Sequence, residues 1–401
     1  MIEFREAQRR VIEACTPLAS ETVALADADG RVLAADVVAG EDLVPFARSA
    51  MDGFALQAAE TSCGSVFPVR ATAYAEAAAA VRHVAGTATA IATGAPLPLG
   101  ANAVVALEDV GRDNGSIRLT RPLRPGEHVF PPGEDACRGQ RLVAAGTGLE
   151  PCHLGLLASA GCTRLSVRRR PRIAIICGGD ELVPVDGTPA YGQIRNSNAT
   201  TVRTLAVRAG GVIVSETTVP DERKTLVDTL QRALLSADVI VTTGGASVGE
   251  RDFIKPVLRE LRATFAFESV ALRPARPTAF ATLGAVRIAA LPGNPAAVFV
   301  ALVELVSPAL AALQGADRLH LPQIRARLEG SVHAKANRTY LPFVHVRWHD
   351  GYVAKPLDNQ CSALTRTASD AHGLAVIEPG RRDYVGGDEV AVDLYRAPTF
   401  V

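Results

Sequence analysis

Arg172-Ile-Ala-Ile-Ile-Cys-Gly-Gly-Asp-Glu181 is an apolar run that ends abruptly on two glycines and two carboxylates. Near-continuous apolarity over 172–177 marks a strand buried on both faces, and the polar end marks its turn into the next element. Working outward, a helical pattern over 199–209, capped by Gly210, leads into a strand at 212–216. A second helix at 222–236 leads into Asp238-Val-Ile-Val-Thr242. A helix over 251–261, apolar strands near 266–272, 278–282 and 286–291, and a long helix over 294–313 complete the stretch. Strands alternating with helices of this length imply βαβ units around a parallel sheet covered on both faces.

The flanks read differently. Phe4, Ala7, Val11 and Ile12 fall at helical spacing, and Pro17 closes a helix over 3–15. From Val23 to about Val143 short apolar runs are broken by turns, and Asp113-Asn114-Gly115 predicts a hairpin. Glu150-Pro151 opens a second short helix, 151–160, ended by Gly161. Arg168-Arg169-Arg170-Pro171 reads as a linker. From about Leu321 alternation returns, as in Val344-His-Val-Arg-Trp348, and predicts a compact β domain. The expected fold is multidomain α/β plus β. Residues 1–40 and 144–170 form a discontinuous α-containing domain, 41–143 an inserted β-rich domain, 171–317 the α/β domain and 318–401 the last β domain.

In 401 residues, 42 Lys and Arg balance 42 Asp and Glu, which excludes nucleic-acid binding by a global basic field. A composition of 48% hydrophobic and 21% charged residues is globular rather than disordered. The N-terminal fifteen residues are charged throughout, unlike a secretory signal. The most apolar stretch, 296–313, contains Glu304 and Pro308 and reads as a buried helix. Seven scattered cysteines without a C-x-x-C pair indicate neither a zinc knuckle nor a disulfide framework. These features predict a soluble, cytoplasmic protein with no membrane or nucleic-acid partner.

Ligands of open α/β sheets bind beyond the carboxyl ends of the strands. Three such ends here are polar and glycine-rich: Cys177-Gly-Gly-Asp-Glu181, Thr243-Gly-Gly-Ala-Ser-Val-Gly-Glu-Arg-Asp252 and Leu291-Pro-Gly-Asn-Pro295. Glycines let backbone N–H groups approach an anion, and the following helix adds partial positive charge. None is a Walker A loop or a G-x-G-x-x-G fingerprint. Asp180, Glu181 and Asp252 suit Mg²⁺ ligands bridging to a phosphate, with helix capping the alternative. Leu272-Arg273-Pro-Ala-Arg276-Pro277 presents two arginines from a proline-stiffened backbone, suited to an oxyanion.

Pro45-Phe-Ala-Arg-Ser-Ala-Met-Asp-Gly-Phe-Ala55 resembles the P-x-F-x-x-S-A-M-D-G-Y-A signature of molybdopterin molybdenumtransferases, the MoeA and gephyrin E-domain family. Further blocks follow in that family's order: Thr93-Gly-Ala-Pro-Leu-Pro98 with Ala103-Val-Val105 and Glu108, Asn196-Ser-Asn198, Gly244-Gly-Ala-Ser-Val-Gly249 with Asp252, and Leu291-Pro-Gly-Asn-Pro295. The resemblance spans nearly the whole chain. It implies a homodimer, an α/β part like molybdopterin adenylyltransferases, and a C-terminal β barrel. The implied reaction converts adenylylated molybdopterin and molybdate, with Mg²⁺, into molybdenum cofactor and AMP. Asp52, Glu181 and Asp252 take the catalytic places. Thr93, Gly244, Gly245, Ser247, Gly249, Arg273, Arg276, Pro292, Gly293, Asn294 and Ser362 take the substrate-binding places. Asp180, Glu181 and Asp252 are the metal candidates, and the Asp52 block is expected to complete a site across the dimer. Contacts with a molybdopterin adenylyltransferase or acceptor molybdoenzymes are implied as well.

Four departures cluster at this site. Arg273-Pro-Ala-Arg-Pro277 stands where the family commonly has K-P-G-K-P, and Ala275 is expected not to reach the backbone angles of glycine. The S-T-G-D-E loop reads Cys177-Gly-Gly-Asp-Glu181. Pro342 stands where an F-x-R arginine is usual, with Arg338 a nearby substitute. Q-G-S reads Gln360-Cys-Ser362. Besides the insertase, two alternatives stay open: a molybdopterin-binding carrier or scaffold paralogue, and a molybdopterin adenylyltransferase. The Ser-Ala-Met-Asp-Gly block and the last β domain weigh against the adenylyltransferase.

Overall fold

A computed structural model describes residues 1–74, 81–244, 253–333, 337–380 and 383–400. The central sheet holds six strands: β1 (Arg172–Gly178), β2 (Val212–Val219), β3 (Val239–Thr243), β4 (Thr264–Phe267), β5 (Ala279–Leu283) and β6 (Val286–Leu291). They lie in the order β2-β1-β3-β6-β5-β4. The first four are parallel, as the βαβ pattern predicts. β5 alone runs against them, antiparallel to both β6 and β4, because it joins β6 through a short hairpin rather than a helix.

Alternate strand residues enter two separate cores. Ile173, Ile175, Val239, Val241, Ala289 and Leu291 face the helices Phe4–Glu13, Ser197–Arg208 and Pro295–Leu313. Ala174, Ile176, Ile240, Ile288 and Ala290 face Arg223–Leu234 and Ile254–Glu260. Each core strand is therefore covered on both sides, which accounts for its unbroken apolarity. The helix Pro295–Leu313 is long and apolar enough to cross a membrane, but it is buried within the protein.

The N-terminal helix, with Phe4, Ala7 and Val11 fully buried, packs into the α/β core rather than against the helix Pro151–Ser159. Ser20–Ala24 pairs antiparallel with Arg164–Arg168. The basic run after it is not a loose linker. Arg169 grips Asp238 through two bonds of 2.6 and 2.8 Å, and Arg172 adds its backbone N–H and guanidinium to the same carboxylate.

Residues of the β-rich segment form a second six-stranded sheet, in which Gly53–Leu56 lies between Ala103–Ala106 and Ala88–Ile91. The predicted hairpin is present: Asn114 (φ 46°) and Gly115 (φ 75°) join Val110–Asp113 to Ser116–Leu119. At the C-terminal end, Gln323–Leu328, Phe343–Trp348, Tyr352–Pro356, Gly373–Val376 and Glu389–Leu394 close into a five-stranded barrel. Its Thr339–Tyr340 pairs in parallel with Leu272–Arg273, which fastens the barrel to the α/β unit.

Candidate functional site

A cleft of about 690 Å³ opens where the carboxyl ends of β1, β3 and β6 meet the barrel. Its floor is glycine for a physical reason. At Gly244 (φ 82°) a Cβ would lie 2.3 Å from the Gly178 carbonyl oxygen, so only glycine lets these backbones approach. Asn198 Nδ2 donates to the Gly293 carbonyl at 2.7 Å and ties the third loop to the helix after β1.

Arg273, Arg276 and Arg338 line the cleft, and none is ion-paired among the described residues. The Arg273 guanidinium carbon sits 4.6 Å from the Tyr340 ring centroid, a cation–π contact that holds it in place. Burial raises the Tyr340 hydroxyl pKa and Arg273 opposes that shift, so the phenol stays neutral. Ala275 corrects the expectation drawn from its lack of glycine's freedom. It is buried at φ 80°, and its carbonyl accepts from the Thr278 hydroxyl at 2.8 Å and from the Thr278 N–H. The surrounding contacts hold a non-glycine residue in the left-handed region at some cost.

The barrel wall is pinned as firmly. Gln360 accepts from Phe343 N–H at 2.9 Å and donates to the carbonyls of Phe343 and Leu357. Ser362 accepts twice from the start of the long helix, its carbonyl from Ala296 N–H and its hydroxyl from Asn294 Nδ2 at 3.2 Å. That leaves the Ser362 O–H to donate to a ligand.

Among the sequence-derived candidates, Glu181, Gly244, Arg273, Arg276, Pro292, Gly293, Asn294 and Ser362 all line this cleft. Gly245, Ser247, Gly249 and Asp252 lie outside the described residues. Asp180 does not line it; its Oδ1 accepts from Asp221 N–H at 3.0 Å. Asp52 and Thr93 are also elsewhere. Thr93 N–H and hydroxyl both donate to Asp52 Oδ1, at 2.7 and 2.9 Å, and the backbone bond first, then the hydroxyl, lowers the exposed carboxyl's pKa. Cys177 is buried, and that burial raises its thiol pKa, which removes it as a nucleophile. Asp221 and Tyr340 are lining residues that motif reading did not single out, and Gln360, noted only within the Gln360-Cys-Ser362 block, lines the cleft as well. The signal for Asp221 was present: Val219-Pro220-Asp221 is the carboxyl end of a fourth parallel strand.

Mg²⁺ is a hard cation that takes oxygen ligands. Glu181 and Asp221 are the acidic residues that line the cleft among the described residues. A Cβ on Gly179 would fall 2.6 Å from Glu181 Oε2 and 2.8 Å from Oε1, so the glycine makes the cradle in which that carboxylate sits. The donor set fits the ion.

Family models match residues 2–161 (MoeA N-terminal region, domain I and II), 174–312 (probable molybdopterin binding domain) and 325–395 (MoeA C-terminal region, domain IV). A molybdopterin molybdenumtransferase of Bacillus subtilis (strain 168) is 32% identical, over 98% of this chain and 94% of that protein. One from Nostoc sp. (strain PCC 7120) is 32% identical over 93% and 88%. The crystal structure of a molybdopterin biosynthesis moeA protein from Pyrococcus horikoshii OT3 superposes with a TM-score of 0.86 at 26% identity, covering 98% of this chain and all of that one. With relatives matched over nearly its full length and all three regional models satisfied, the chain belongs to the molybdopterin molybdenumtransferase (MoeA) family.

Proposed function

We infer that the cleft inserts molybdate into adenylylated molybdopterin, releasing AMP and leaving molybdenum on the dithiolene. The observation that carries this reading is the convergence of Arg273, Arg276 and Arg338 with the Glu181 and Asp221 carboxylates in one cleft. Planar guanidinium groups suit a tetrahedral oxyanion, and the Ser362 hydroxyl adds a neutral donor beside them. Glycine at Gly244 and Gly293 lets the phosphates of the anhydride lie against backbone N–H groups, with the start of the long helix behind them. As the anhydride P–O bond breaks, charge grows on the departing AMP phosphate, and these fixed donors meet it without reorganising. Glu181 and Asp221, with Asp252 as a further proposed ligand, would hold Mg²⁺, which neutralises phosphate oxygens when bound.

Asp52 and Thr93 do not line the cleft of their own chain, and a second copy is proposed to bring them to it. Phe46 and Phe130, 44% and 38% exposed, with Arg48 stacked 5.2 Å over Phe130, offer an apolar face near the Asp52 block for that contact.

The test combines purified protein, adenylylated molybdopterin, molybdate and Mg²⁺, and follows AMP release and active cofactor. Release that depends on molybdate and stops with chelator is expected. Tight molybdopterin binding without AMP release would favour the carrier reading instead.

A further inference from the structure

Ten residues along the long helix from Asn294, about 15 Å by helical rise, two carboxylates are buried at the seam with the barrel. Glu304 is 4% exposed and Asp393 is 5% exposed. Gln8 Nε2, from the N-terminal helix, donates to Glu304 Oε2 at 3.1 Å and to the Glu304 carbonyl at 3.2 Å. The second bond replaces one the helix cannot make, because Pro308, four residues on, has no N–H. Here the helix widens into a π turn over Leu302–Val306. Arg5 Nη1 donates to Gln8 Oε1 at 3.1 Å, which orients the amide so that its NH₂ faces Glu304. On the barrel side, Gln323 Nε2 donates to Asp393 Oδ1 at 2.8 Å.

Each carboxyl group thus has one oxygen bound by an amide. The other oxygen of each, Glu304 Oε1 and Asp393 Oδ2, is buried without a hydrogen-bond partner. Two ionised groups there would repel each other and leave both oxygens without a donor. A single proton removes both costs, since a protonated carboxyl becomes the donor its neighbour lacks.

We propose that Glu304 is a positioning residue for the cleft: it shares one proton with Asp393, and the pair latches the barrel onto the long helix and the N-terminal helix. The barrel carries Arg338, Tyr340, Gln360 and Ser362, so seating it sets the spacing of the cleft's second wall. Burial first, then the Asp393 charge, pushes the Glu304 carboxyl up to about 8, and burial raises Asp393 too. The other groups at the seam are Arg5 and Gln8 from the N-terminal helix, His320 from the connection, Gln323 from the barrel, and Glu378, whose carboxylate lies 3.9 Å from the Arg5 guanidinium. Arg208 of the neighbouring helix lies by Val303.

The sign follows from linkage. A solvated glutamate loses its proton near about 4.3, while the latched one keeps it to about 8, so undocking releases a proton. The docking constant therefore falls as pH rises between those limits, by up to about tenfold per pH unit for one proton. Burial, then Arg5, holds the His320 pKa below its ordinary value, so His320 opposes the trend only below about pH 6.5.

Difference infrared spectra of the wild-type protein should contain a protonated-carboxyl band at about pH 6 that is lost by about pH 9 and is missing in Glu304→Gln. A wild-type protein without that band overturns the proposal, whether or not any variant folds. Hydrogen exchange over 323–328 and 389–394, corrected for intrinsic rates, should rise by up to about tenfold between pH 7 and 8 in wild type. It should flatten in Glu304→Gln and in Asp393→Asn, where an amide N–H takes the place of the shared proton as donor to the remaining carboxylate. An equal rise in wild type and variants overturns the latch. Half-saturating molybdate should rise in step with seam exchange; affinity that stays constant while the seam opens overturns the positioning role.

Discussion

Gly244→Ala tests whether the cleft floor depends on the close approach of β1 and β3. The new methyl would fall 2.3 Å from the Gly178 carbonyl oxygen, on a backbone held at φ 82°. The left-handed conformation costs an alanine about 1–2 kcal/mol. Restoring ordinary contact moves one strand end by about 1 Å, and overpacking of this kind adds about 1–3 kcal/mol. The expected total is a local loss of about 2–5 kcal/mol. A displacement of about 1 Å at a reacting centre can cost on the order of a hundredfold in rate, so AMP release should fall by that order even where the protein still folds. Gly178→Ala is the matched control: its nearest neighbour would be 3.9 Å away, and a side chain there meets only ordinary contacts. One unfolding midpoint would mix several transitions in a multidomain chain. Hydrogen exchange over 173–178 and 239–243 is therefore the assay, alongside AMP release. A Gly244→Ala protein with wild-type exchange and turnover, or a Gly178→Ala protein damaged equally, would refute the steric argument.

Arg338→Ala should raise half-saturating molybdate by about 10- to 100-fold, the value of one charged hydrogen bond or a bidentate pair, with a smaller effect for Arg338→Lys; equilibrium binding of molybdate reads this directly. Asp52→Ala and Arg276→Ala should each be inactive as pure proteins, yet a mixture should regain part of the activity if one copy completes the other's cleft; no regain on mixing and re-equilibration sinks the shared site. Asp238→Ala should cost about 1.5–3 kcal/mol, the value of charged hydrogen bonds to arginines that keep partial access to water. Burial would raise the Asp238 pKa, but its bonds to Arg169 and Arg172 outweigh that and hold it well below the ordinary value. Its stabilisation is thus full above about pH 3.9 and lost as pH falls through the folded value, and acid-unfolding curves of wild type and variant should converge there. Ala275→Gly should relieve about 1–2 kcal/mol of backbone strain against a somewhat smaller gain in unfolded-chain entropy, so local hydrogen-exchange protection over 270–283 should hold or rise slightly; a marked fall would mean that φ 80° is not strained here.

What could be read in the sequence was local or periodic. Asn114-Gly115 carries its turn in its own backbone preferences, and the strands 172–178 and 239–243 announce two covered faces through unbroken apolarity. What could not be read depends on partners far away in the chain. The reversed direction of β5 depends on how short its connection to β6 is, which apolarity does not encode. Asp238 and Arg172 read as ordinary strand-start residues and Arg169 as part of a linker, and only the fold brings the three together. Asp221 was passed over because it sits after proline in a loop without the glycines that drew notice to the other strand ends. The latch partners are 89 residues apart in sequence, Glu304 on a helix and Asp393 on a barrel strand, and neither has a local pattern that names the other.

The departures from the family pattern gather where charge matters most, and the geometry gives them a common sense. Pro342 lines a neighbouring cavity of about 410 Å³, together with Lys355 and Glu329, while Arg338 lines the main cleft. Arg273 and Tyr340 border both cavities and form the wall between them. A guanidinium at 338 therefore puts positive charge in the main cleft from the same barrel edge whose residue 342 faces the neighbouring cavity. Position in the cleft, not position in the motif, is what an oxyanion responds to. The chain as a whole is neutral, 42 basic against 42 acidic side chains, yet three guanidiniums face one cleft without a carboxylate partner among the described residues. Low-dielectric walls focus such a local field, so a molecule with no net charge can still draw in a dianion. Steering of that kind reaches only about a Debye length and should fade with added salt, whereas contact hydrogen bonds inside the cleft should persist. Molybdate association rates that drop with ionic strength while dissociation rates stay nearly constant are the expected signature of charge arranged in this way.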